Sequence, residues 1–302
     1  MDRTSIYETV TNKIISDLES GILPWTQPWQ SGVGKPGFSF PANATTGANY
    51  TGINVLLLWM HGAEMRFPTQ RWLTFKQAEA AGGYVRRGET GTKIARAGTF
   101  TPKGEKQRAA EEGRSEAAIP FLKAFTVFNV AQCEGLDEEI TGIDRPEIDD
   151  TRDLPRVEAA DETIAACGIR FITHPDKAFY RITDDVIAMP LMAAFNDPIN
   201  WYRTAFHEIS HGSGAKHRLN RKFERFGTQA YAREELVAEC SAAFLCAAHN
   251  IIPTVRHADY IGNWLEVLKS DNKAIFQAAS LATKAADWVL DQKAKPSQLL
   301  AA

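Results

Sequence analysis

An H-E-x-x-H motif at His207–His211 constrains this chain more than any other feature of its sequence. The residues from Asn200 to His211 predict a helix, and side chains four positions apart lie on one face of a helix. His207 and His211 can therefore direct ring nitrogens at one metal ion, while Glu208 is placed to act as a general base. Two histidine ligands, an open coordination position and a base are typical of zinc peptidases, in which zinc lowers the pKa of its water towards about 7.

A third ligand is expected from the alanine-rich segment that begins at Ala232. This segment predicts a buried helix on which Glu235 and Glu239 share a face, and buried carboxylates are costly unless they are paired or bound to metal. We expect Glu235 to ligate the metal and Glu239 to orient a ligand histidine. The E-x-x-A-E pattern resembles the E-x-x-A-D helix of gluzincin-type peptidases, which favours this order. The reverse order is one alternative, and a metal-free helix that is ion-paired through Arg233 is another.

Composition places the chain among soluble globular proteins. Its 302 residues are enough for two domains, and a hydrophobic share of 44% with a charged share of 24% is ordinary. The N-terminus lacks the basic start and apolar stretch of a signal peptide, and no apolar run is long enough to cross a membrane. We expect reduced thiols and a cytoplasmic protein, because no C-x-x-C pair occurs among Cys133, Cys167, Cys240 and Cys246.

Charge divides the chain near residue 140. Residues 66–108 carry ten basic and three acidic side chains, whereas acidic side chains outnumber the three arginines in residues 134–162. Pro146 and Pro155 interrupt the acidic stretch, which indicates a linker. We therefore predict an α+β fold of two domains that fold separately: an N-terminal domain over residues 1–135, an acidic linker over 136–160 and a C-terminal domain over 161–302.

Local patterns predict several elements that bear on the two domains. Alternating apolar residues indicate strands at Lys93–Phe100 and Lys123–Val130. The charged segment Lys103–Glu116 between them is expected to be a mobile hairpin loop. Gly212 and Gly214 are expected to end the helix that carries the H-E-x-x-H motif.

Aromatic and basic side chains alternate along the N-terminal domain, a combination suited to single-stranded DNA. Bases stack on exposed rings, and phosphates pair with lysine and arginine. Trp25 and Trp29 are the expected exposed pair, because Pro24 and Pro28 keep their segment out of regular structure. A core position is the alternative for Trp72, and a positive patch can also be a solvated face. The candidate DNA-binding residues are Trp25, Trp29, Arg71, Trp72, Lys76, Arg86, Arg87 and Lys93.

The chain as a whole resembles the ArdC-type antirestriction proteins. The resemblance lies in segments of both halves: Leu23–Trp29, Asn43–Asn54, Arg71–Ala78, Gly82–Gly88, His207–Gly214, Arg218–Arg221 and Tyr231–Glu239. These segments span almost the whole chain, and they also resemble the N-terminal part of TraC-type plasmid primases.

This resemblance implies a single-stranded-DNA-binding N-terminal domain and a zincin-like metallopeptidase domain. It also implies plasmid carriage and protection of incoming DNA from host restriction during conjugation. The implied metal is Zn2+, with another divalent ion such as Mn2+ as the alternative. In a zincin-like fold the edge strand beside the active helix binds an extended peptide by strand addition, and Val186–Met189 is the expected edge strand.

Three functions are compatible with the sequence. In the first, the chain masks single-stranded DNA, and this alone blocks restriction. In the second, it is a zinc peptidase that cleaves a host protein, such as a host restriction component, and DNA binding localises it. In the third, the zincin fold holds metal without turnover. Glu208 favours a competent site, and no membrane partner is expected.

Overall fold

The computed structural model describes residues 5–25, 39–142, 156–222, 228–252 and 261–294. Both halves of the chain mix helices with strands, which confirms the predicted α+β fold. Trp29 and most of the predicted acidic linker lie outside the described residues. Within the described ranges, no helix combines the length and the apolar character needed to cross a bilayer.

The helices and strands are numbered along the chain. The α-helices of the described residues are α1 (Ile6–Glu19), α2 (Ile53–Met65), α3 (Phe75–Ala80), α4 (Glu105–Glu111), α5 (Glu138–Thr141), α6 (Glu158–Ala166), α7 (Asn200–Ser213), α8 (Gln229–Ala248), α9 (Ile261–Ser270) and α10 (Ala274–Ala294). The β-strands are β1 (Ala42–Asn43), β2 (Arg71–Leu73), β3 (Tyr84–Val85), β4 (Thr92–Phe100), β5 (Ile119–Asn129), β6 (Cys133–Glu134), β7 (Arg170–Thr173), β8 (Phe179–Arg181) and β9 (Val186–Met189).

A four-stranded sheet of order β1–β2–β5–β4 organises the N-terminal half. The long antiparallel pairing of β4 with β5 confirms both strands that the sequence predicted. The connection between them, which the sequence predicts to be a mobile loop, contains the short helix α4. Arg114 pairs with Glu105 at 2.5 Å, and the same carboxylate accepts a hydrogen bond from the Ala117 N–H, so α4 is tied to the chain that leads into β5.

Helix α2 packs against the edge strand β4 of this sheet. The Asn54 side chain donates to the carbonyl oxygen of Ala95 and accepts from the Ala95 N–H, each at 2.8 Å. One amide thus satisfies two backbone groups of an edge strand, which would otherwise be open to another chain.

A second, three-stranded sheet of order β7–β9–β8 lies in the C-terminal half. Strand β9 pairs parallel with β7 and antiparallel with β8, so Val186–Met189 is the central strand. The expectation that this strand forms an edge is wrong. All four of its residues are buried and apolar, as is typical of a strand that is covered on both faces. The edges belong to β7 and β8, and β8 packs against α7.

Both halves contribute to one large hydrophobic core. Trp25 packs edge-to-face on Trp264 with ring centroids 5.2 Å apart, and Trp59 packs on Phe244 at 5.7 Å. Helix α1 lies against α9, and α10 lies against both α2 and α8. This shared core contradicts the expectation that the two halves fold separately. The boundaries at residues 135 and 161 stay predictions.

Candidate metal centre

Helix α7 carries the H-E-x-x-H motif. His207 and His211 lie one turn apart, and their Nε2 atoms approach to 3.1 Å. His207 and Glu208 are buried, and His211 is partly buried. The predicted juxtaposition of the two histidines on one helix face is therefore present.

Gly212 lies inside α7 and does not end it. The helix continues to Ser213, and Gly214 is its C-cap. A Cβ atom on Gly212 would come within 2.5 Å of Ile169 Cδ1 and within 3.4 Å of the Tyr180 ring. The glycine is therefore explained by the close packing of α7 on the segment around β7 and on β8, rather than by helix termination.

Helix α8 brings Glu235 to the two histidines. Its carboxylate oxygens lie 3.4 Å from His207 Nε2 and 3.4 Å from His211 Nε2. One donor atom from each of the three residues lies within 4.8 Å of the others. Ligands bound at about 2.0–2.2 Å to a tetrahedral ion are themselves about 3.3 Å apart. The two ring nitrogens and the carboxylate thus have the spacing of one face of such a coordination shell, and this donor set fits a divalent ion.

The other ring nitrogen of His207 meets Glu239. His207 Nδ1 lies 3.2 Å from Glu239 Oε1, and the second carboxylate oxygen of Glu239 forms a short ion pair with Arg203. Both Glu239 and Arg203 are buried. A carboxylate on the far nitrogen fixes the tautomer and the orientation of a ligand histidine, which is the role that the sequence favoured for Glu239.

His211 has a matching partner that the sequence analysis missed. Its Nδ1 lies 3.4 Å from Glu234 Oε1, and Arg221 holds the same oxygen at 2.8 Å. The sequence contains part of the signal for Glu234, because it is an acidic residue next to Glu235 on a largely apolar helix. Arg221 belongs to the segment after α7, so its approach to α8 depends on the tertiary fold.

The alternative of a metal-free helix that is ion-paired through Arg233 finds no support in the contacts. Arg233 pairs with Asp271 at 3.0 Å, outside the histidine cluster. The cations that face the cluster's carboxylates are Arg203 and Arg221 instead.

The surrounding carboxylates make both histidines more basic. Burial lowers the pKa of His207, but hydrogen bonds with Glu235 and Glu239 outweigh burial and raise the pKa to about 10. Burial also opposes the rise for His211, whose pKa reaches about 9 through hydrogen bonds with Glu234 and Glu235. For Glu235, burial raises the pKa and the two histidines lower it, with a net fall below the usual range. The cluster is therefore arranged to hold positive charge, and a metal must displace protons to enter it.

Two tryptophans proposed to stack on DNA are core residues. Only 1% of Trp25 and 0% of Trp72 is exposed. Trp25 was expected at the surface because proline keeps its segment irregular, but an irregular segment can still bury a large ring, and here Trp264 covers it. Trp72, on β2, packs with Leu58 and Val127 in a small core, as its core alternative predicted. Neither ring is available to a base.

The basic candidates differ in their contacts. Arg71 donates to the carbonyl oxygen of Glu139 at 2.8 Å, and Arg86 pairs with Glu89 at 2.6 Å, so both guanidinium groups have protein partners. The exposed basic candidates are Lys76, Arg87 and Lys93.

Comparison with known proteins finds matches to both halves of the chain. Residues 158–281 match the family model of a zincin-like metallopeptidase, and residues 4–128 match that of the N-terminal domain of anti-restriction factor ArdC. The protein y4eC of Sinorhizobium fredii (strain NBRC 101917 / NGR234) is 36% identical over 96% of this chain and 93% of its own length. Two DNA primases TraC of Escherichia coli are 36% and 34% identical over 97% of this chain, and the matches cover 28% and 20% of those longer proteins.

Two crystal structures of the antirestriction protein ArdC from plasmid R388 share the fold. The metal-free structure is 36% identical with a TM-score of 0.80, and covers 96% of this chain and 98% of ArdC. The Mn(II)-bound structure is 34% identical with a TM-score of 0.78, and covers 98% of this chain and all of ArdC. Likeness in sequence and in fold thus extends over both halves. The chain therefore belongs to the ArdC family of antirestriction proteins.

Proposed function

We propose that this protein binds single-stranded DNA and protects incoming plasmid DNA from host restriction during conjugation. The observation that carries the proposal is the similarity to ArdC of plasmid R388 over nearly the whole of both chains. The similarity to TraC, a DNA primase, is a second link to DNA. The exposed basic residues of the N-terminal half are compatible with a polyanionic partner.

For the metal site, the proposed ligands are His207, His211 and Glu235. Support comes from the spacing of their donor atoms and from the Mn(II) bound by the related ArdC structure. Zinc is the proposed ion, because two imidazoles and one carboxylate with an open position are typical of catalytic zinc sites. Manganese is the alternative.

Glu208 is the proposed general base of this site. A divalent ion held by the three ligands would supply Lewis acidity and make water acidic enough to ionise near neutral pH. Glu208 would accept the proton of the attacking water and return it to the leaving amine. Glu239 and Glu234 would hold the two imidazoles in the tautomer that leaves each Nε2 free to bind metal.

Proteolysis of a host protein is a second candidate function, in which DNA binding localises the enzyme. The specific observation in its favour is Glu208. This residue is buried on α7 and lies between the two histidines in sequence. A site that only held metal would not need a carboxylate at this position.

A conjugation assay tests the proposed function. A plasmid with restriction sites is transferred into a restricting recipient and into an isogenic non-restricting recipient, with and without the gene for this protein. The protein should raise transfer into the restricting recipient and leave transfer into the other unchanged. Equal transfer with and without it in the restricting recipient would overturn the proposal.

The Glu208→Gln variant separates the two candidate functions. The variant keeps the size of the side chain and removes the base, so metal content and DNA binding should be retained. If the variant still protects, masking of DNA is sufficient. If it folds, binds metal and DNA, and fails to protect, proteolysis is required.

A further inference from the structure

The face of the β4–β5 hairpin that carries Val127 and Ile94 is covered at one end by the small core around Trp72. From Ala95 onwards the same face is turned away from the protein, and the other face is turned towards it. Directly paired residues share a face, and faces alternate along each strand. Ala95 is buried and Leu122 packs on the main core, so their face looks inward. The pairs Arg96–Lys123, Gly98–Phe121 and Phe100–Ile119 have the opposite orientation.

The outward face carries large apolar side chains that the fold does not cover. Phe100 is 49% exposed, Ile119 is 47% exposed and Phe125 is 39% exposed. Phe121 lies over Gly98, where a Cβ atom would come within 2.7 Å of its ring. The glycine therefore lets this ring lie flat along the strand pair. Three exposed large apolar side chains beside a partly exposed ring on one sheet face are unusual for a surface that contacts only water.

Two cations lie among these rings. The Arg96 guanidinium is 6.0 Å from the centre of the Phe125 ring, and Lys123 Nζ is 5.2 Å from that of Phe121. Arg96 and Lys123 are also direct cross-strand partners, and like charges in that position repel. None of the ion pairs among the described residues includes Arg96 or Lys123. An anionic ligand would relieve this repulsion.

We infer that Arg96, Phe100, Phe121, Lys123 and Phe125, here called the hairpin strip, form the surface that binds single-stranded DNA. This inference rests on the proposed function and assigns the DNA binding to a surface of the N-terminal half. Exposed rings next to positive charges match the two parts of a nucleotide, because a base stacks on a ring while its phosphate meets the cation. Residues two apart on one strand lie about 6.6 Å apart, so the strip presents its groups in a row along the hairpin.

The strip favours single-stranded over double-stranded DNA. In a duplex the faces of the bases are already stacked on one another, and only their edges and the phosphates are accessible. Stacking on Phe121 and Phe125 requires unpaired bases. The strip does not depend on Trp25 or Trp72, whose rings are buried.

The hairpin itself offers a matched control for charge. Lys93 is exposed on β4 but belongs to the opposite face, since it lies three residues before Arg96. Leu191 is a control for the loss of an exposed apolar side chain, because it is 64% exposed and lies in the C-terminal half.

The test measures binding of the full-length chain to a fluorescein-labelled single-stranded oligonucleotide of mixed sequence, by anisotropy at several salt concentrations. Phe121→Ala and Phe125→Ala should each weaken binding by roughly 5- to 150-fold. The double variant Arg96→Ala with Lys123→Ala should reduce the slope of log affinity against log salt by about 1.4. Lys93→Ala should weaken binding less than Arg96→Ala alone or Lys123→Ala alone, and Leu191→Ala should leave binding unchanged.

Photo-crosslinking gives a second measurement that does not depend on variants. An oligonucleotide with iododeoxyuridine should crosslink to β4 or β5, as read by mass spectrometry of the peptides. A wild-type chain that binds no single-stranded DNA overturns the proposed DNA binding together with the strip. A wild-type chain that binds while all strip variants bind equally well overturns the strip alone. Variants that change self-association in sedimentation, with unchanged DNA affinity, would show that the strip joins copies of the chain instead.

Discussion

His211 Nδ1 lies 3.4 Å from the carboxylate of Glu234, which Arg221 holds from the other side. With the contact of His207 to Glu239, each histidine of the candidate centre has its own acidic partner and each of those acids its own arginine. Residues of α7, α8 and the segment that follows α7 thus orient both histidine side chains.

Loss of the Glu234 carboxylate should weaken metal binding without abolishing it. In Glu234→Gln we expect affinity for zinc to fall about 10- to 100-fold, because the imidazole of His211 loses the group that fixes its orientation. Competition with a chelator of known affinity measures the change. Glu266→Gln, on the exposed side of α9, is the matched control and should bind zinc as the wild type does. Equal zinc affinity in the two variants would mean that the only role of Glu234 is to pair with Arg221.

Glu235 and Glu239 should respond differently to truncation. We expect Glu235→Ala to lose stoichiometric metal, whereas Glu239→Ala should retain it at about 10- to 100-fold lower affinity. Glu239→Ala should also lower the free energy of unfolding by about 3–5 kcal/mol, because buried Arg203 loses its carboxylate partner. Metal analysis and denaturant titration of both variants make the comparison. If Glu239→Ala loses stoichiometric metal and Glu235→Ala retains it, then Glu239 is the ligand and Glu235 is the orienting residue.

The local part of the site was predictable, and its tertiary part was not. The juxtaposition of His207 with His211 follows from helix periodicity alone, and Glu235 follows from a buried carboxylate on the next apolar helix. The contact of Glu234 with Arg221 joins α8 to the segment after α7, and no local rule indicates it.

The same distinction explains the errors about Trp25 and Val186–Met189. Proline correctly indicates irregular backbone at Trp25, but burial of the ring depends on Trp264, far away in sequence. A short apolar run correctly indicates a strand at Val186–Met189, but its place in the sheet depends on pairing with both β7 and β8. Local propensity predicted these elements, whereas partners distant in sequence decide burial and strand order.

A methyl group at Gly212 should destabilise the protein by overpacking. The Cβ of Gly212→Ala would lie 2.5 Å from Ile169 Cδ1, so Ile169 or α7 must shift. We expect a loss of about 1–3 kcal/mol in the free energy of unfolding. Gly262→Ala is the control, because Gly262 is also helical and nothing lies within 4 Å of its added Cβ. In Gly262→Ala the free energy of unfolding should stay the same or rise by up to about 1 kcal/mol. Equal stabilities of the two variants would refute the packing explanation.

The ion pair of Asp185 with Arg218 should make stability depend on pH. Arg218 donates to both Asp185 oxygens at 2.7 Å and also to the Gly212 carbonyl, and its hydrogen bonds lower the pKa of Asp185. A lowered pKa stabilises the fold above the unfolded value of about 3.9, and this contribution is lost as pH falls through the folded value. Asp185→Asn, which tolerates the left-handed backbone at φ 52°, should cost about 1 kcal/mol near pH 7, since a partly exposed pair is screened by water. Denaturant titrations of both proteins should converge as the pH falls below the lowered pKa of folded Asp185. A difference in stability that does not shrink with falling pH would show that the charge of Asp185 is not its source.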